Sequence, residues 1–119
     1  MPGRMINRYG TITISDPVIA AIASTTAMES YGIVGLARHD LREGLTELLK
    51  QENLGKGVKV VTEGNQITIY VNIVVEYDVR IGIVSQNIIE SVKFRVERAT
   101  GLHVREVVVL VQDIRIDKE

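Results

Sequence analysis

From Gln66 to Tyr77 the chain alternates, with Ile67, Ile69, Val71, Ile73 and Val75 on one side and Thr68, Tyr70, Asn72, Val74 and Glu76 on the other. A period of two held over that length specifies one long β-strand with a buried face, because successive side chains of a strand point in opposite directions. Such a strand needs neighbours on its edges and a layer over its apolar face. The first neighbour is close by: Gly64-Asn65 suits a tight β-turn, and Val58 to Val61 before it reads as the antiparallel partner.

The layer comes from two helical stretches. Ser15 or Asp16 can cap a helix and Pro17 can occupy its first turn, which predicts a helix over about Asp16 to Ser30, after a strand at Gly10 to Ile14. Val18, Ile19, Ile22, Ala23 and Thr26 share one side of it, and Ala20, Ala21 and Ala27 permit close packing. Gly32 is placed to end it in a left-handed conformation. A longer helix is expected over about Ile83 to Thr100, with Val84, Ile88, Val92, Val96 and Ala99 as its stripe and Gly101 as its terminator. Between them, Asp40 with Glu43 resembles a capping box, so Leu41, Leu45 and Leu48 are expected on a short helix ending near Gln51, although Gly44 weakens it. Asn53 to Gly57 reads as a loop, and a last strand is expected from about His103 to Ile114.

The predicted order is β-α-α-β-β-α-β. It specifies an α+β, two-layer sandwich in which an antiparallel four-stranded sheet carries two main helices on one face, plus the short extra helix. The 119 residues fit a single domain over 1–119, with no internal repeat or linker.

Composition excludes several classes. Fourteen Lys and Arg against fifteen Asp and Glu leave a net charge of -1, which is no footing for binding a polyanion through many phosphate contacts. The absence of cysteine removes disulfides, thiolate nucleophiles and Cys-ligated zinc, so no oxidising compartment is required and the cytoplasm is expected. The N-terminal MPGRMINRYG has no apolar core of a signal peptide, and no run approaches the roughly 18 apolar residues of a membrane span.

Motifs for chemistry are sparse. Gly32, Ile33, Val34 and Gly35 spell the GxxG of a KH-type loop that clamps a nucleic-acid backbone, and the first six elements follow the order of such a domain. Ile33 and Val34 are apolar, however, where a clamp presents amides and a cation to phosphates; the preferred reading is a helix stop and a turn pinned by two buried aliphatics. Gly55-Lys56-Gly57 lacks the spacing of a phosphate-binding loop and leads into a strand rather than a helix. His39 and His103 have no second ligand at metal-binding spacing, and Ser85 and Ser91 have no evident base. Glu76 and Asp78 read as solvated residues at a strand end. Glu90, Lys93 and Glu97 fit ordinary helix-surface pairs, while Arg95, Arg98 and Arg105 are interleaved with acids. No catalytic residue, metal or cofactor is expected.

Beyond these motifs, the strand Tyr9-Gly10-Thr11-Ile12-Thr13-Ile14 is followed by GIVGLA, LGKGVKV, NIVVEYDVRI, VSQNIIESVKFRVERATGLHV and EVVVLVQDI. With VVEY at Val74 to Tyr77, Ile81, QNI at Gln86 to Ile88 and TGL at Thr100 to Leu102, the chain resembles the alkaline-shock, envelope-stress-response proteins of Gram-positive bacteria over nearly its whole length. The resemblance implies a cytoplasmic protein of the general stress response and envelope homeostasis, linked in YloU-like members to fatty-acid metabolism. It also implies no enzymatic activity and, for some members, membrane association only through an anchoring partner. The chain departs from the pattern at Glu43 to Gln51, a variable region, and at Asp78, where small residues are common.

The remaining expectation concerns the sheet face turned from the helices, which should be polar at every second position. Val107 to Val111 is unbroken apolar, so some of its side chains must leave the core. Val108 and Leu110, with Tyr70 and Val74, are assigned to an outer patch that a second copy or another protein covers, unless the Leu41-Leu45-Leu48 helix folds over it. A homo-oligomer is expected, and nucleic acid is not.

Overall fold

The computed structural model describes residues 3–40, 45–50 and 55–116, and of residues 39–40 and 45–47 the backbone only. The elements are β1 (Gly3–Asn7), β2 (Gly10–Ile14), α1 (Asp16–Met28), β3 (Ile33–Asp40), β4 (Leu45–Leu48), β5 (Val58–Glu63), β6 (Gln66–Glu76), α2 (Ile81–Thr100) and β7 (His103–Arg115). Mixed α+β architecture and both main helices agree with the sequence; the sheet does not.

β6 is its centre. One edge of β6 pairs antiparallel with β5 from Val58↔Val71 to Glu63↔Gln66 and, further along, with β3 from Ile33↔Val75 to Leu36↔Ile73. The other edge pairs with β7 over its whole length, from Gln66↔His103 to Glu76↔Arg115, and this pairing is parallel. Parallel pairing follows from the connection: a 20-residue helix of about 30 Å carries the chain back along a strand of about 36 Å, so β7 starts where β6 started. With β4 added on β3, the result is a five-stranded mixed sheet rather than four antiparallel strands.

The strand at Gly10 to Ile14 is not in that sheet. It forms a separate ribbon with Gly3–Asn7, from Gly3↔Ile14 to Asn7↔Gly10. Asn7 closes the turn, its Oδ1 accepting from the amides of Tyr9 (2.7 Å) and Gly10 (3.2 Å). The expected short helix is also absent: Leu45 and Leu48 lie on β4, paired with β3 from Asp40↔Leu45 to Ala37↔Leu48. β3 continues past the end of its pairing with β6, and its backbone groups there need partners that a helix cannot give. Leu41, Gly44 and Gln51 fall outside the described residues.

The helices cover one face. Ile67, Ile69, Val71, Ile73 and Val75 of β6 meet Ile19, Ala23 and Ala27 of α1 and Val84, Ile88, Val92 and Val96 of α2 in one buried cluster. α1 ends at Met28, two residues short of the expected Ser30, and its buried face is rotated: Ala20 and Ser24 are buried while Val18 is exposed. Small residues decide this, because the side that approaches the sheet and α2 must be the one with least bulk. Ser24 and Thr26 are tolerated there since their hydroxyls donate to the carbonyls of Ala20 (2.7 Å) and Ile22 (2.8 Å). On α2, Thr100 takes the buried position expected of Ala99; its Oγ1 donates to the Val96 carbonyl (2.6 Å) and accepts from the Leu102 amide (3.1 Å). Gly101, with φ of +77°, ends the helix by donating to the Glu97 carbonyl (2.8 Å).

Candidate interaction surface

Of the GxxG residues, only Gly32 lies outside β3. Gly32 has φ of +91° and its carbonyl accepts the Glu76 amide (3.1 Å), while Ile33, Val34 and Gly35 are already in β3, on either side of a bulge. Their backbone is committed to β6. Of the two aliphatics expected to pin a turn, Ile33 does pack against the core, but Val34, the bulged residue, is exposed.

The other chemical candidates stay apart. Gly55, Lys56 and Gly57 form one turn leading into β5, beside a cleft of about 470 Å³ that also holds Asp16. Asp16 Oδ1 is buried there with no hydrogen-bond partner, and a carboxylate opposes an anion. His103 Nδ1 lies 3.4 Å from Glu97 Oε2, whereas the side chain of His39 lies outside the described residues. Among the described residues no group of His, Cys, Asp and Glu could hold a metal. Arg95 pairs with Glu29 (3.2 Å), Arg105 with Glu63 (3.6 Å), and Arg98 lies over the Phe94 ring (5.8 Å), so each of these three arginines has a contact of its own. Gln86 Nε2 donates to Glu90 Oε2 (3.1 Å) on the exposed side of α2. No helix among the described residues is long and apolar enough to cross a membrane.

The four residues expected on an outer patch are only partly brought together. Tyr70 and Val108 are adjacent partners, both half-buried, and Leu110 beside Asn72 is 40% exposed. Val74 is not available: it is fully buried, between Gly35 of β3 and Asp113 of β7. Gly35 and Ala37 are small, and Leu48 occupies that face of β3, its Cδ2 lying 3.5 Å from where a Gly35 β-carbon would be. Polar groups close the middle of the face, for Gln112 Nε2 donates to Asn72 Oδ1 (2.6 Å) and Asn72 Nδ2 to the Gly57 carbonyl (3.1 Å).

What stays open is the side of β7 away from β6. No strand among the described residues pairs there. Val111 and Ile114, not singled out from the sequence, are 37% and 45% exposed along with Leu110. A strand edge of this length, rich in Val and Leu, is a template for another strand. A second apolar surface lies on the β1–β2 ribbon, where Ile6, Tyr9 and Ile12 are exposed.

A family model for alkaline-shock proteins, described as of "cell envelope-related function", matches residues 4–116. The chain is 43% identical over 110 residues to the uncharacterized protein YloU of Bacillus subtilis, covering 92% of each. It is 40% identical over 117 residues to the uncharacterized protein Spy1614 of Streptococcus pyogenes, covering 98% of this chain and 97% of that one. Among solved structures it is similar to the MamM CTD, for instance its D249H copper form, at a TM-score of 0.47 and 13% identity over 85% of this chain and 96% of that one.

Proposed function

This chain belongs to the alkaline-shock protein family, whose description is a cell envelope-related function, and on that footing we propose that it is a non-catalytic envelope-stress protein acting through self-association and protein partners. It serves from the cytoplasm, reaching the membrane through an anchored partner. The observation that carries this reading is the open β7 edge, with Leu110, Val111 and Ile114 exposed along it.

Sedimentation of the unmodified protein at about tens of micromolar, the range in which modest interfaces assemble, tests it. A homodimer or larger species is expected, and Leu110→Glu shifts it toward monomer while the thermal melt is retained. A strictly monomeric wild type, or RNA binding with sequence preference at physiological salt, would sink the reading.

A further inference from the structure

The exposed apolar side chains of β7 do not share a face. Val108 and Leu110 lie on the side of Tyr70 and Asn72, away from the helices, whereas Val109 and Val111 lie on the side of Val71 and Ile73, toward them. All four are half-buried or exposed. A missing layer would leave one side of a strand open; a missing neighbour strand leaves both open. What β7 lacks is therefore lateral.

The edge matches its own reverse about Val109. In the run Arg105-Glu106-Val107-Val108-Val109-Leu110-Val111-Gln112-Asp113, a cation at one end answers an anion at the other, with apolar residues between. Arg105 reaches Glu63 (3.6 Å), whose partner Gln66 belongs to the row turned from the helices, and Asp113 is the partner of Val74 in that row. Register shifts against β6 fall at Arg105 and at Gln112, so each extra residue would stand opposite the other's neighbourhood when two copies run antiparallel. Side chains cap the same two ends, for the Val104 amide donates to Glu97 Oε2 (2.9 Å) and the Ile114 amide to Asp113 Oδ1 (2.8 Å). Positions 104 and 114 are equally far from 109.

We propose that β7 pairs antiparallel with β7 of a second copy about a two-fold axis at Val109, fusing two sheets into one. This rests on the self-association read above and adds its surface and register. Arg105 faces Asp113 of the second copy, Glu106 faces Gln112, Val107 faces Val111, and Val108 faces Leu110. An isologous contact of this kind satisfies both edges at once and closes.

Charge reversal tests it without relying on any single variant. Arg105→Asp sets carboxylate against carboxylate and Asp113→Arg sets guanidinium against guanidinium, so each alone should weaken dimerisation about tenfold or more at low salt. Mixing the two variants restores both opposite-charge pairs in a heterodimer, and association should return toward the wild-type level. In parallel, Val109→Cys in this cysteine-free chain should oxidise to a disulfide-linked dimer, since directly opposed β-carbons lie about 4.5–5.5 Å apart. Glu106→Cys, about 20 Å from its copy, should not. A wild-type dimer that neither variant weakens, a mixture that is not restored, or equal cross-linking at both cysteines overturns this pairing while self-association stands. A monomeric wild type overturns both.

Discussion

A β-carbon at Gly32 would lie 2.9 Å from Val84 Cγ2 and 3.2 Å from Val79 Cγ1, on a backbone with φ of +91°. At Gly35, three residues on, the added carbon would only touch Leu48 Cδ2 at 3.5 Å. The two glycines of the GxxG therefore differ in kind. Gly32→Ala should lower stability by about 1–3 kcal/mol in urea unfolding, through strain and overpacking, while Gly35→Ala stays within about 1 kcal/mol of wild type. Equal effects would contradict the assignment. Asp78 poses the complementary case, a non-glycine residue at φ of +85° between β6 and α2. Aspartate visits that region more readily than branched residues do, so Asp78→Val should cost about 1–2 kcal/mol and Asp78→Gly should not destabilise.

At the scale of elements, the main sheet is built around β6, which pairs with β3, β5 and β7. Ile73 is fully buried between Leu36 and Val111, so Ile73→Ala should cost about 2–5 kcal/mol, against less than about 1 for Leu110→Ala, read as the shift in unfolding midpoint of the monomeric chain. β6 and α2 were legible because their periods are long and unbroken, and Gly101 because it ends a helix where the stripe stops. β4 was not: Leu41, Leu45 and Leu48 have helical spacing, and only the unpaired reach of β3 makes Leu45–Leu48 a strand. The N-terminal strand hid because its pairing is local, set by Asn7 in the turn rather than by a buried row. The direction of β7 was within reach, since a strand, a helix of matching length and a strand make a crossover unit. Its bulges were not, because a bulge exists only relative to a neighbour's register. For the same reason Val108 and Leu110 could be placed outside the core from an unbroken apolar run, whereas the burial of Val74 depends on β3 and could not.

The whole molecule measures 59 × 29 × 21 Å. Among the described residues, the β7 edge and the β1–β2 ribbon each carry several of its exposed large apolar side chains. If the first closes on a copy of itself, the ribbon stays outside that contact: Ile6 and Tyr9, 70% and 84% exposed, are then open to a different partner. Replacing both by Ser should leave sedimentation unchanged and reduce retention of bound proteins from a cell extract. A loss of dimer in that variant would show that the ribbon, not the edge, holds the copies together.

The parallel pairing of β6 with β7 also bears on time. β6 finds β5 across a two-residue turn, but its other edge stays empty until all of α2 has formed and β7 has returned to its start. Closing so distant a contact comes late and slowly, which places refolding of this domain in the range of about milliseconds to seconds rather than microseconds, measurable by stopped-flow fluorescence of its tyrosines or by far-UV signal. During that interval the chain holds out the central strand itself, and a β7 from any neighbouring chain can reach it first. Refolding yield should therefore fall as protein concentration rises, even where the finished dimer is stable.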